Sequence, residues 1–158
     1  MKKLVISAFA LLAGFVSASA LAATATTTFP VNITLTSACA VTTAPTAVAF
    51  SYTSNQATAA TATGTSVGIT CTNTLPYTVS LAGATGNGYN VTDAKTNLAY
   101  TLTLNGTAAD LTGQVGTGTA QTVSIGGTMA ANQSGTCATA SCTNAGSANL
   151  TQTLTITY

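Results

Sequence analysis

Val67-Gly68-Ile69-Thr70-Cys71-Thr72-Asn73-Thr74-Leu75-Pro76-Tyr77-Thr78-Val79-Ser80-Leu81 alternates large apolar with small side chains on both sides of a short polar break. Val67, Ile69 and Cys71 share one face of the first run, and Leu75, Tyr77, Val79 and Leu81 share one face of the second. Successive side chains of an extended chain point to opposite faces, so a period of two marks half-buried β-strands. Threonine fills most of the other face, where β-branched residues suit a pleated, half-exposed surface. The same period spreads outward along the chain. Phe29, Val31, Ile33 and Leu35 alternate with Asn32, Thr34 and Thr36, and less regular alternation follows in Val48-Phe50-Tyr52. Beyond Leu81 come Tyr89-Val91, Leu98-Tyr100-Leu102-Leu104, Val123-Ile125 and Leu154-Ile156-Tyr158. Outside the first twenty or so residues no window carries an apolar stripe at helical spacing, and an all-β fold is expected.

Turn residues punctuate these runs at intervals typical of a sandwich. Asn87-Gly88 predicts a tight hairpin between Leu81-Ala82 and Tyr89-Val91, because both residues tolerate the positive φ that a type I′ turn requires. Asn105-Gly106 and Gly126-Gly127 each predict the end of a strand. Ser54 to Gly64 and Thr112 to Ala120 are low in complexity and predict loops, and Gly135 to Asn149 predicts a surface excursion before the last strand. There is no internal repeat and no domain-sized linker, so the 158 residues suit one domain with a single modest core.

The start places Lys2 and Lys3 before the apolar stretch Leu4 to Val16, followed by Ser17-Ala18-Ser19-Ala20-Leu21-Ala22-Ala23. A positive end, an apolar centre and small residues around a cut site make a secretory signal peptide, with cleavage after Ala20 or Ala22. An uncleaved membrane anchor is the competing reading, and the small residues at its end argue against it. The first cysteine, Cys39, lies far beyond the apolar stretch, which argues against a lipoprotein. Four cysteines in an exported chain imply oxidation, and three pairings are arithmetically possible. We favour Cys39 with Cys71 and Cys137 with Cys142, which on the chain-entropy account are worth roughly 3.5 and roughly 2 kcal/mol. Zinc binding by these cysteines would need better spacing or a histidine, and the chain has no histidine.

Of the three Lys and Arg residues, two lie in the leader, so the mature chain carries only Lys95, Asp93 and Asp110. Histidine, glutamate, arginine and tryptophan are all missing. Acid/base catalysis, imidazole metal ligation, phosphate capture and nucleic-acid binding all draw on those residues, so no enzyme, cofactor, metal or nucleic-acid function is expected. Gly83-Ala84-Thr85-Gly86-Asn87-Gly88 has the glycines of a phosphate loop but neither a following helix nor a Lys-Ser/Thr pair. Asp93 and Lys95 are expected in an exposed turn rather than as an acid/base couple. Tyr77, Tyr89, Tyr100, Tyr158, Phe29 and Phe50 could stack on a carbohydrate, but most stand in register with aliphatic residues, and core packing is the preferred reading.

The order of leader, alternating run, Cys39, Phe50, the quoted Val67 to Leu81 stretch, then Leu98-Ala99-Tyr100-Thr101-Leu102 and a closing Leu154-Thr155-Ile156-Thr157-Tyr158 resembles the spore coat protein U domain family. That family includes subunits of archaic chaperone-usher pili. The resemblance covers essentially the whole mature chain. It implies an incomplete immunoglobulin-like β-sandwich completed by a donor strand from a neighbouring subunit. A periplasmic chaperone supplies the missing strand first, and an outer-membrane usher exchanges it for the next subunit's extension. On that pattern residues 1–22 are the signal peptide, 23–37 the donor-strand extension and 38–158 the incomplete pilin domain. Phe29, Val31, Ile33 and Leu35 match the donor segment, Cys39 and Cys71 match the family's first disulfide, and Leu154, Ile156 and Tyr158 form the terminal strand beside the acceptor groove. Ala148, Leu150 and Gln152 stand where the family commonly has Gly-x-Tyr-x-Asp, and the Cys137 to Cys142 loop is an addition.

Charge and spacing point the same way without the family. Neither the leading run nor the last strand carries a charged guard, and an unguarded edge invites pairing by another chain. Only Thr36, Ser37 and Ala38 separate Leu35 from Cys39, too few for easy reversal into the same domain, so pairing between molecules is expected. Burial of four apolar side chains gives about 6 to 12 kcal/mol against an association cost of about 4 to 15, and main-chain hydrogen bonds must supply the surplus. Head-to-tail donation does not close on itself and yields open fibres. The expected product is a polymerising subunit of an extracellular pilus that is exported through the periplasm and supports adhesion or biofilm formation. Its expected partners are identical or related pilin subunits, the chaperone and the usher. The alternative is a secreted coat or adhesive protein that does not polymerise.

Overall fold

The computed structural model describes residues 24–82, 84 and 86–158. The expected signal peptide and both cleavage sites lie outside the described residues. Two units are distinguished, one ending at Thr34 and one spanning Leu35–Tyr158.

In the first unit the described residues 24–34 form no strand. Phe29, Val31 and Ile33, and Leu35 at the start of the second unit, are each more than 70% exposed. Alternation alone does not make a strand, because a strand's main-chain groups need a partner ladder.

The second unit contains no helix among its described residues and is built from β1 (Cys39–Thr43), β2 (Ala60–Thr61), β3 (Thr65–Cys71), β4 (Pro76–Leu81), β5 (Tyr89–Thr92), β6 (Ala99–Leu104), β7 (Asp110–Val115), β8 (Gln121–Met129) and β9 (Leu154–Thr157). One sheet has the order β1-β3-β8-β6-β5, with the short β2 also paired to β8, and the other has the order β7-β4-β9. Every pairing is antiparallel. The alternation read from the sequence decides which faces meet. Val67 and Ile69 of β3, Leu104 of β6 and Val79 of β4 are wholly buried in one shared core, the arrangement of a β-sandwich. Each such side chain contributes on the order of 1.5–3 kcal/mol by leaving water.

Both favoured disulfides are present, Cys39 to Cys71 and Cys137 to Cys142. The first joins directly opposed residues of the β1–β3 ladder and so ties an edge strand to its neighbour.

Several turn and loop expectations are corrected. β4 and β5 belong to different sheets, so Asn87-Gly88 does not close a hairpin. Positive φ falls at Ala82, Gly86 and Gly88 but not at Asn87, so this stretch serves a crossing between layers. Asn105 and Gly106 do both take positive φ, and Leu104 bridges Ala108 across them. Gly126-Gly127 lies inside β8 instead of ending it. A Cβ on Gly127 would stand 2.5 Å from Thr101 O and 3.0 Å from the Phe50 ring, so the glycine is there for close approach. The expected loop Ser54 to Gly64 contains β2, and Thr112 to Ala120 contains the last four of the six residues of β7. In β7 the residues Thr112 and Gly113 sit opposite Thr78 alone, a bulge made possible by Gly113 at φ 67°. Val48-Phe50-Tyr52 forms no strand, and only Ala49 bridges Thr63.

Candidate functional site

β9 pairs with β4 and has no partner on its other edge among the described residues. Its register sets Leu154 opposite Leu81 and Ile156 opposite Val79, so these side chains face the core, yet both remain half-buried. The inward apolar face of β9 is therefore only partly covered. Ala82 N–H donates to Thr153 O at 2.7 Å. In an antiparallel ladder bonded pairs recur at every second residue, so Thr155 and Thr157 also direct their main-chain groups to β4. Leu154 and Ile156 therefore present theirs to the open edge.

Beside this edge lies a cavity of about 630 Å³. Its floor includes Leu81, Leu102, Ile125 and Met129, drawn from both sheets. One wall is Leu150 and Gln152 to Leu154, which leads into β9, and a further wall is the irregular segment Pro45 to Phe50. Phe50 is held over this floor by Tyr100, with ring centroids 5.5 Å apart, and by the close approach to Gly127. The cavity is thus a trough lined mostly by apolar side chains from both sheets.

The lining also includes Cys142 of the small disulfide loop, the adjoining Thr143 and Asn144, and Asp93 and Thr96 of the turn after β5. That turn is organised by Asp93, which is 3% exposed and so lies buried, contrary to the exposed turn expected from sequence. Asp93 Oδ1 accepts from Lys95 N–H at 3.1 Å, Thr96 N–H at 2.7 Å and the Thr96 hydroxyl at 2.8 Å. Burial pushes this carboxyl up, but the bonds from Thr96 N–H, the Thr96 hydroxyl and Lys95 N–H outweigh it and lower the pKa to about 2. Asp93 Oδ2 has no hydrogen-bond partner, and the Ser147 hydroxyl is committed to Asn149 Oδ1 at 2.7 Å. Asp93 and Lys95 form no couple, since Lys95 Nζ donates instead to Ala145 O at 2.6 Å. With Ala94 N–H to Asn149 Oδ1 at 3.1 Å and Thr136 N–H to Thr96 O at 2.6 Å, it straps the Gly135 to Asn149 excursion to the sandwich.

The aromatic side chains divide. Tyr77 is buried and Phe50, Tyr89 and Tyr100 pack half-buried on the core, whereas Phe29 and Tyr158 are exposed. Of the three terminal-strand residues named from sequence, Leu154 lines the trough, Ile156 packs beside it on the core, and Tyr158 is 61% exposed. The Pro45 to Phe50 wall was not named from sequence, although Val48 and Phe50 carried a weak alternation. The role of Asp93 had a legible signal in Asp93-Ala94-Lys95-Thr96, since aspartate commonly bonds the main chain two and three residues on. Among the described residues there is no group of three or more His, Cys, Asp or Glu side chains that could hold a metal ion. No family model, curated protein or solved structure matches this chain.

Proposed function

We propose that the chain is a structural subunit of an extracellular pilus and polymerises by donor-strand complementation. The sandwich is read as an immunoglobulin-like domain lacking its last strand, and the leading segment of a second copy as the strand that completes it. The observation that carries this reading is the apolar trough beside the open edge of β9. A match for it exists in the same chain, where Phe29, Val31, Ile33 and Leu35 expose four apolar side chains at strand spacing. Strand addition of this kind gains affinity from main-chain bonds and specificity from alternate side chains.

On this reading a periplasmic chaperone covers the trough before assembly, an outer-membrane usher exchanges it for a subunit's extension, and the fibre supports adhesion or biofilm formation at the cell surface. The resemblance to the spore coat protein U domain, carried by Val67 to Leu81 and the closing Leu154 to Tyr158, supports those partners.

The test is a chain lacking residues 24–36, run in detergent without boiling beside the intact chain. The intact protein gives a ladder of multimers, because completed subunits resist detergent. The shortened chain gives a disulfide-bonded monomer. A ladder of equal length from the shortened chain would overturn the reading.

A further inference from the structure

Pro30 interrupts the exposed alternating segment on its polar side. Its nitrogen carries no hydrogen and cannot donate to a ladder. In an extended strand the main-chain groups of residues 29, 31, 33 and 35 point to one edge and those of 28, 30, 32 and 34 to the other. The segment therefore has one complete edge, belonging to its apolar residues, and one edge with a gap.

The open edge of β9 is equally specific, since it presents the main-chain groups of Leu154 and Ile156, whose side chains are the inward ones. Directly opposed residues of an antiparallel pair lie on the same face and exchange both hydrogen bonds at alternate positions. A strand laid antiparallel on this edge thus bonds through residues whose own side chains enter the trough. The complete edge of the segment meets both conditions together. A parallel strand bonds to Leu154 and Ile156 through a residue opposite Thr155, whose side chain faces outward. That brings the gapped edge to β9 and leaves one carbonyl there without a donor when Pro30 falls in the pairing. The Pro45 to Phe50 wall makes no such demand at two places: Pro45 also has no N–H, and Ala49 has both main-chain groups engaged with Thr63 at 3.1 and 2.8 Å.

We propose that Pro30 is an edge-selecting residue, which restricts a second copy's extension to laddering on β9 through Phe29, Val31, Ile33 and Leu35. This rests on the donor-strand reading and adds the residue that sets the bonded edge. The test moves the gap. In the full chain, Asn32→Pro and Thr34→Pro add prolines to the edge already gapped, while Val31→Pro and Ile33→Pro place them on the complete edge. Val31→Ala and Ile33→Ala report the loss of side chain alone. The rate at which monomer leaves heated, unboiled multimers is the readout, and circular dichroism checks that the sandwich is unchanged.

Asn32→Pro and Thr34→Pro are expected to release monomer within about threefold of the intact chain. Val31→Pro and Ile33→Pro are expected to release it at least about tenfold faster than their alanine counterparts, as a lost ladder bond implies. Prolines at 32 and 34 that weaken the fibre as much as those at 31 and 33 overturn the proposal. If the intact chain itself forms no multimers, the donor-strand reading fails, and this one with it.

Discussion

Asp93 is the one buried charge among the described residues, and its environment makes a pH-dependent prediction. Its carboxyl is held at about 2 against an ordinary 3.8, so ionised Asp93 favours the folded state. That stability is fully present above pH 3.8 and is lost as the pH falls through about 2. Urea unfolding followed from pH 5 towards pH 2 (about the span of the two titrations) is expected to show this loss in the native chain. In Asp93→Asn the corresponding drop is absent and the stability at neutral pH is already lower by about 2 kcal/mol, the scale of bonds to a charged group. An unchanged acid profile in the variant would assign the effect elsewhere. Gly127 supports the trough from the opposite direction. An added methyl collides with Thr101 O, a main-chain atom that cannot swing away, and with the Phe50 ring. Gly127→Ala is expected to cost about 1–3 kcal/mol in thermal or urea unfolding. It should also loosen Phe50, and with it the Pro45 to Phe50 wall.

At the scale of elements, strands were legible where large apolar residues alternate and illegible where the partner, not the pattern, makes the strand. β3, β4 and β6 coincide with the alternation of Val67 to Cys71, Leu75 to Leu81 and Leu98 to Leu104. β7 reads Asp110-Leu111-Thr112-Gly113-Gln114-Val115, which has the composition of a loop, and it is a strand because β4 offers it a ladder around the Gly113 bulge. β2 is two residues of Ala-Thr paired to the end of β8, a contact between distant segments that no local pattern encodes. Asn105-Gly106 and Asn87-Gly88 show the limit of turn chemistry. The dipeptides are alike and both lie in connections between the sheets, but only the first makes a tight local turn, with Leu104 bridged to Ala108. The candidate site divides in the same way. Leu154 and Ile156 were legible from their alternation, whereas Pro45 to Phe50, Leu102 and Met129 join the trough only through tertiary packing. The disulfides were legible from sequence spacing, and they should differ in worth. The Cys39–Cys71 link spans 32 residues and the Cys137–Cys142 link 5. Replacing the first pair by alanine is expected to cost roughly 3.5 kcal/mol and the second roughly 2 kcal/mol. Equal losses in thermal melts would mean that something other than chain entropy sets their value.

The whole molecule combines an uncovered apolar trough with an uncovered apolar segment, and its near absence of charge leaves both unguarded. Anything that binds only the folded, open sandwich stabilises it by mass action, so filling the trough is measurable without a fibre. A synthetic peptide of residues 24–38 added to purified monomer at one hundred times its dissociation constant should add about 2.7 kcal/mol of stability. For a domain of roughly 120 residues this raises Tm by about 10 °C. A peptide in which Val31 and Ile33 are replaced by aspartate carries charge into an apolar trough and should give no shift. The response should also saturate at one peptide per chain, because among the described residues β9 has one open edge. Equal shifts from both peptides would mean that the gain comes from general adhesion to an uncharged surface, not from completion of the sheet. A shift confined to the native peptide would tie the stability of the sandwich to an apolar strand added from outside it.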